Sequence, residues 1–193
     1  MNAIALPLPV ADDTAVLSLL MARVADGDAA AFTQLVRALQ APGLRLAHRT
    51  LNDRAGAEDV VQTALTRVWT LAARFDPARG SVEGWFRRMV VNLCLDRRRA
   101  TRATVPLEFA AGVASAAPGP LEAALIGDRR ARLNAALAQL GPRQRAALAM
   151  FHGDGMTMAE IGDVLHATPK AVEGLLGRAR MELRNLVGVE TAL

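Results

Sequence analysis

Two short helices joined by a three-residue turn have few ways to pack, and residues 157–183 spell out such a pair. Thr157-Met158-Ala159-Glu160 has capping-box spacing, in which the Thr hydroxyl accepts from the third amide and the Glu carboxylate accepts from the cap amide. A helix starts there, carries Ile161, Val164 and Leu165 on one face, and ends by His166. Thr168-Pro169 then supplies an N-cap followed by proline at the first helical position, so a second helix begins almost at once. That helix keeps Val172, Leu175, Leu176, Ala179 and Leu183 on one face at 3.6-residue spacing. So short a turn makes the helices cross sharply, and Met158 to Leu183 reads as a helix-turn-helix. Thr168, Lys170, Glu173, Gly174, Gly177 and Arg178 are left at the turn and on the outward face, where a recognition helix meets base edges in the major groove. A plain αα-hairpin is the alternative; the agreement of turn, caps and apolar faces favours DNA binding.

The rest of the chain must be compatible with that module. Of the 193 residues 52% are hydrophobic but only 4% aromatic, with no Tyr. Ala, Leu, Val and Arg do most of the filling, which suits packed helices better than sheets. The expected fold class is all-α. A net charge of +4 is modest, but the cations are nearly all Arg, whose planar fork suits phosphate and base edges. They cluster as Arg97-Arg98-Arg99 with Arg102, and as Arg178, Arg180 and Arg184, an electrostatic footprint for nucleic acid or a solvated helix face.

Punctuation divides the chain. From Asp13 to about Thr101 the pattern is helical, with breaks expected at Gly27-Asp28, Pro42-Gly43, Asn52-Asp53 and Phe75–Gly80. Between Arg102 and Pro120 periodicity gives way to Thr, Ala, Ser, Gly and Pro106, Pro118 and Pro120, a composition expected of a tether. Helical pattern resumes after Leu121, restarts at Gly141-Pro142 and pauses at Gly153-Asp154-Gly155. Two small helical domains, residues 1–102 and 121–193, are therefore expected, joined by a flexible linker at 103–120.

Within the first domain, Ala57–Trp69 reads as an amphipathic helix with Val61, Leu65, Val68 and Trp69 inward and Asp59, Gln62, Thr63 and Thr66 outward. The turn Phe75-Asp76-Pro77-Ala78-Arg79-Gly80 then leads into a helix that buries Phe86, Met89, Val90 and Leu93 and ends in the arginine cluster. Trp69 and Trp85 are read as core residues rather than stacking platforms.

In order and spacing these segments resemble region 2 of extracytoplasmic-function sigma factors, the smallest sigma-70-type class. There an AEDLVQ-like helix precedes an FDP-x-RG-x-x-x-x-W loop and a W-x-x-x-x-x-x-N-x-x-x-D-x-x-R helix; here the matching residues run through Trp85, Asn92, Asp96 and Arg99. Leu140–Leu148 and the helix-turn-helix resemble region 4 of the same family. The resemblance covers roughly residues 14–101 and 121–187. It implies a transcription initiation factor that binds core RNA polymerase, through the clamp helices of the largest subunit and the β flap, and directs it to promoter DNA under an anti-sigma factor. Asp59, Gln62 and Arg67 fall where the clamp contact would be. Asn92, Asp96, Arg97, Arg98, Arg99 and the loop residue Arg79 fall where the melted −10 strand would be held. Base capture needs an amide that both donates and accepts, with cations along the phosphates; otherwise Asn92 is a mid-helix residue facing solvent. The outward face from Thr168 to Arg178 would read the −35 duplex.

One departure stands out. The family's usual recognition-helix pattern is close to G-T-V-K-S-R-L, whereas this chain has Lys170-Ala171-Val172-Glu173-Gly174-Leu175-Leu176, with Glu173 where a cation is usual. A carboxylate there repels phosphate but can accept from cytosine N4, so it either weakens or redirects −35 reading. Gly174 and Gly177 each cost about 1 kcal/mol of helix propensity relative to Ala, which fits either close backbone approach or looseness.

Other classes lack residues to stand on. There is no P-loop, no His-Glu-x-x-His and no Gly-x-Ser-x-Gly, so no enzyme and no cofactor is expected. His48, His152 and His166 have no spacing partner for a metal, and Cys94 is the single cysteine, which fits a small core residue in a reducing cytoplasm. No export signal and no apolar run long enough to span a membrane is seen. A regulator that is not a polymerase subunit remains the nearest rival; the Asn92/arginine helix and the Asp76-Pro77 loop argue against it.

Overall fold

The computed structural model describes residues 13–104 and 122–187, with side chains from 14 to 100 and from 131 to 187. Among them are eight α-helices and no strand: α1 (Asp13–Ala25), α2 (Ala29–Leu51), α3 (Arg54–Leu71), α4 (Val82–Thr104), α5 (Glu122–Gln139), α6 (Pro142–Leu148), α7 (Met158–Leu165) and α8 (Pro169–Val187). The all-α expectation holds. The linker expected at 103–120 lies outside the described residues except at 103–104, where α4 continues.

Helix boundaries follow local chemistry. Gly27 takes φ +86°, and Asp28 caps α2 by accepting from the amides of Ala30 and Ala31 at 2.8 and 3.0 Å. At the other end Asn52 turns left-handed at φ 54°, its amide donating to the His48 carbonyl. The break expected at Pro42-Gly43 does not occur: α2 runs through it. Buried Leu35, Leu39, Gly43, Leu46 and Ala47 continue the helical spacing across the proline, and Ala38, whose carbonyl loses a donor, is exposed to solvent. Gly43 is the contact point for α4, since a Cβ there would sit 2.8 Å from Phe86 Cε1.

The α1–α4 unit centres on α2, which packs against the other three; in the α5–α8 unit, α8 packs against α5, α6 and α7. The two units also meet. Helices α2 and α4 contact α6, α4 contacts α7, and α2 contacts the π turn Ala149–Gly153. One buried apolar cluster runs through both, from Leu35, Phe86 and Val90 to Met150, Ile161 and Leu176. Two arginines stitch the seam. Arg49 Nη2 bonds Asp154 Oδ1 at 2.7 Å. Arg145, fully buried on α6, donates from Nη1 to the Leu51 carbonyl at 3.3 Å, one of the carbonyls that the C-terminus of α2 leaves open and partly negative.

Candidate nucleic-acid interface

The α7–α8 pair forms as its caps require. Thr157 Oγ1 accepts from the Glu160 amide at 3.3 Å while Glu160 Oε2 accepts from the Thr157 amide at 2.8 Å. The Thr157 amide, together with the Thr157 hydroxyl, which also donates to Oε2 at 2.8 Å, holds the Glu160 carboxyl below its ordinary value, with a smaller pull from Arg87 on α4. His166 ends α7 in the left-handed region at φ 50°, a place that His, like Asn and Asp, tolerates better than most. The turn is tight: the Ala167 amide donates to the Gly162 carbonyl at 2.9 Å, and a Cβ on Gly162 would lie 2.6 Å from the Ala167 carbonyl oxygen. Arg143 Nη2 donates to the Leu165 carbonyl at 2.6 Å, closing the end of α7. Thr168 Oγ1 then accepts from the Ala171 amide at 3.2 Å and opens α8.

Val172, Leu176 and Ala179 are buried, and Leu175 and Leu183 pack against the core. Thr168, Lys170, Glu173, Gly177 and Arg178 are exposed and Gly174 is half-buried, so these residues lie together at the start and on the outward side of α8. Lys170 Nζ and Glu173 Oε2 pair at 2.9 Å. Each holds the other charged, the lysine raised and the glutamate lowered from their ordinary values.

On the first unit, Asp59, Gln62, Thr63, Thr66 and Arg67 all stand on the exposed face of α3. Helix α4 buries Val82, Phe86, Val90, Val91, Cys94 and Leu95; Met89 and Leu93, expected inside, are half-buried against that core. Asn92 is half-buried, Arg98 likewise, and Asp96, Arg97 and Arg99 are exposed. Arg97, expected on phosphate, pairs with Asp59, expected on polymerase, at 3.3 Å, with Asp53 3.9 Å away. Asp96 pairs with Arg99 at 3.3 Å. A shallow groove between α3 and α4 is lined by Asp59, Val60, Thr63, Leu93, Asp96 and Arg97. Burial pushes the Cys94 thiol up to about 12, against the opposing pull of Arg97 and Arg98.

Arg79 stands apart, exposed on a 3-10 turn at Pro77–Arg79 that Asp76 caps by accepting from the Ala78 amide at 3.0 Å. The Phe75 and Trp85 rings, 5.5 Å apart, pin the two ends of that loop. Trp85 is partly buried, as expected; Trp69 is not a core residue. It is 38% exposed and meets the edge of Phe32 at 5.1 Å, because Val68 takes the inward position next to it. Sequence reasoning missed three contributors: Gly162 in the turn, Arg143 at its carbonyl, and Arg145 in the seam. For the first two the signal was present, a glycine within a short helix and a cation directly after the proline that starts one.

Comparison with known proteins places these surfaces in a family. The family model described as Sigma-70 region 2 matches residues 35–104, and that described as Sigma-70, region 4 matches residues 130–183. The ECF RNA polymerase sigma factor SigK of Mycobacterium tuberculosis is 30% identical over 176 residues, 90% of this chain and 94% of that protein. SigK of Mycolicibacterium vanbaalenii is 30% identical over 179 residues, 91% of each chain. Among solved structures, CnrH in complex with the cytosolic domain of CnrY is 28% identical with a TM-score of 0.64, over 91% of this chain and 99% of CnrH. The sigma factor RpoE of Bartonella quintana, in complex with the anti-sigma factor NepR, is 22% identical with a TM-score of 0.64, over 83% of this chain and 98% of that one.

Proposed function

Because this chain belongs to the extracytoplasmic-function class of sigma-70-type RNA polymerase sigma factors, we propose that its two units divide promoter recognition between them. The chain is a transcription initiation factor that binds core RNA polymerase and directs it to promoter DNA. In this reading residues 1–102 hold the clamp helices of the largest subunit through Asp59, Gln62 and Arg67 and capture the melted −10 strand. Residues 121–193 sit on the β flap and read the −35 duplex, and residues 103–120 connect the two.

One observation carries the division. The exposed face of α8 and the Asn92–Arg99 stretch of α4 are separate surfaces on separate helical units of one chain, and each suits a different form of DNA. A helix-turn-helix face fits duplex in its major groove. An amide flanked by arginines, beside the Arg79 loop, fits a splayed single strand whose bases are held one by one and whose phosphates meet cations. Asp59 has a part in both tasks, since it holds Arg97 from the polymerase-facing helix.

Control by a protein partner follows from the same surfaces. The solved relatives carry a second protein, and an anti-sigma factor that covers α3 and α4 would withhold both the clamp and −10 contacts at once. The chain acts by binding alone, with no chemistry of its own and no cofactor. It works where polymerase works; no helix among the described residues is long and apolar enough to cross a membrane.

A pull-down with core polymerase followed by run-off transcription from a selected promoter tests the assignment. Core binding with template-specific transcripts is the expected result, and failure to bind core would sink it. Asn92→Ala should retain core binding and lose open-complex formation, whereas Arg67→Ala with Gln62→Ala should weaken core binding itself.

A further inference from the structure

We infer that Glu173 is a base-reading residue, which makes one cytosine of the −35 duplex a specificity determinant for this protein. This rests on the assignment of α8 to the −35 duplex and adds what that helix selects.

The outward face of α8 offers few long side chains. Lys170, Glu173 and Arg178 are exposed there, while Gly174 and Gly177 contribute none. A carboxylate on a face that approaches phosphates is unfavourable unless it is neutralised or used. Lys170 neutralises it: its ammonium holds Glu173 Oε2 at 2.9 Å. Stability alone does not account for the pair, because an exposed i,i+3 ion pair screened by water contributes very little. The pairing occupies one carboxylate oxygen, and Oε1 has no partner among the described residues. An acceptor-only group aimed into the major groove matches one base-edge donor best, the N4 amino group of cytosine. Lys170, donor-only and about 4.5 Å along the axis, matches the O6 and N7 acceptors of a neighbouring guanine.

The glycines fit the same scheme. A Cβ on Gly177 would meet nothing within 4 Å, and one on Gly174 would meet only the flexible guanidinium of Arg178, 3.4 Å away. The protein's own packing therefore requires neither glycine, although each weakens the helix relative to Ala. What a missing Cβ provides is closer approach by an outside surface. Glutamate is shorter than the lysine usual at this position, so it reaches a base edge only if the helix backbone comes nearer. Two bare positions one helical turn from Lys170 and Glu173 permit that.

The test is selection of duplex DNA carrying a randomised −35 block by the full chain reconstituted with core polymerase. Wild type should enrich cytosine at one position, and replacing that base should weaken binding roughly ten- to hundredfold, the range of one good base contact. Glu173→Ala should flatten the preference at that position alone, with core binding and helical content unchanged. Lys170→Ala should leave the cytosine preference and alter a neighbouring position. Gly174→Ala and Gly177→Ala should raise thermal stability yet weaken all duplexes alike. If Glu173→Ala selects the wild-type sequences, or if Lys170→Ala and Glu173→Ala change the same positions in the same way, Glu173 does not read a base. If wild type enriches no duplex while still binding core, the −35 assignment itself falls.

Discussion

Replacing Asp154 with Ala removes the carboxylate that Arg49 holds across the seam, and the structure allows its cost to be bracketed. The contact is short, 2.7 Å, and the two side chains are 36% and 17% exposed. Fully exposed ion pairs contribute about 0.2–1 kcal/mol, whereas breaking a buried pair costs about 3–5 kcal/mol because one charge is stranded. A pair at this depth lies between, so Asp154→Ala should cost about 1–2 kcal/mol, and the Arg49/Asp154 coupling in a double-mutant cycle should be about 1 kcal/mol. For a chain of this size that is a Tm loss of about 2–8 °C. Because one apolar cluster runs through both units, the melt should be a single transition that shifts as a whole. Circular dichroism of wild type, Arg49→Ala, Asp154→Ala and the double variant, at low salt and at 0.5 M KCl, measures this. The coupling should shrink as salt screens the partly exposed pair. A coupling below about 0.3 kcal/mol, or two transitions of which neither moves, would refute the claim that the pair ties two units into one folding body.

Three further outcomes are expected. Asp28 and Glu160 are held below their ordinary values of 3.8 and 4.5, mainly by backbone amides. A depressed carboxylate stabilises above its unfolded value and loses that contribution as pH falls through the folded one, so stability should drop below about pH 4.5, and Asp28→Asn should flatten the lower part of that drop in urea titrations. Cys94, buried with a thiol near 12, should resist a disulfide exchange reagent in the native state and react at a rate set by unfolding; fast labelling of the folded chain would contradict its place in the core. Gly43→Ala would press a methyl against the Phe86 ring at 2.8 Å and should cost about 1–3 kcal/mol by overpacking, read as a lower urea midpoint; a neutral result would mean that α2 and α4 separate easily.

What could be seen in advance was whatever is local. Thr157 and Glu160 lie three residues apart, Thr168 stands directly before Pro169, and Asp76 caps its own loop; each turn or cap is settled within a few residues, so spacing suffices. Failures came where tertiary packing overruled a local signal. Pro42 reads as a stop, but the apolar stripe through Leu39 and Leu46 keeps α2 in register across it. Trp69 reads as core until Val68 is seen to occupy the inward position. The seam lay beyond any such reading: two of its polar contacts join residues 105 and 94 positions apart, and no periodicity links an arginine to a carbonyl at that distance. For the same reason the Asp59–Arg97 pair, across 38 positions, joins groups that sequence reasoning had assigned to different partners.

The buried guanidinium of Arg145 bears on how such proteins can be recombined. Its charge is matched to the end of a helix that belongs to the other half of the chain, and a Cβ at Gly153 would run into Arg49. A hybrid that joins this C-terminal half to a relative's N-terminal half would inherit the proposed recognition helix intact but strand a cation against an unmatched surface. Residues 49, 51, 145, 153 and 154 would have to travel as a set, so the unit of exchange is larger than the unit of recognition.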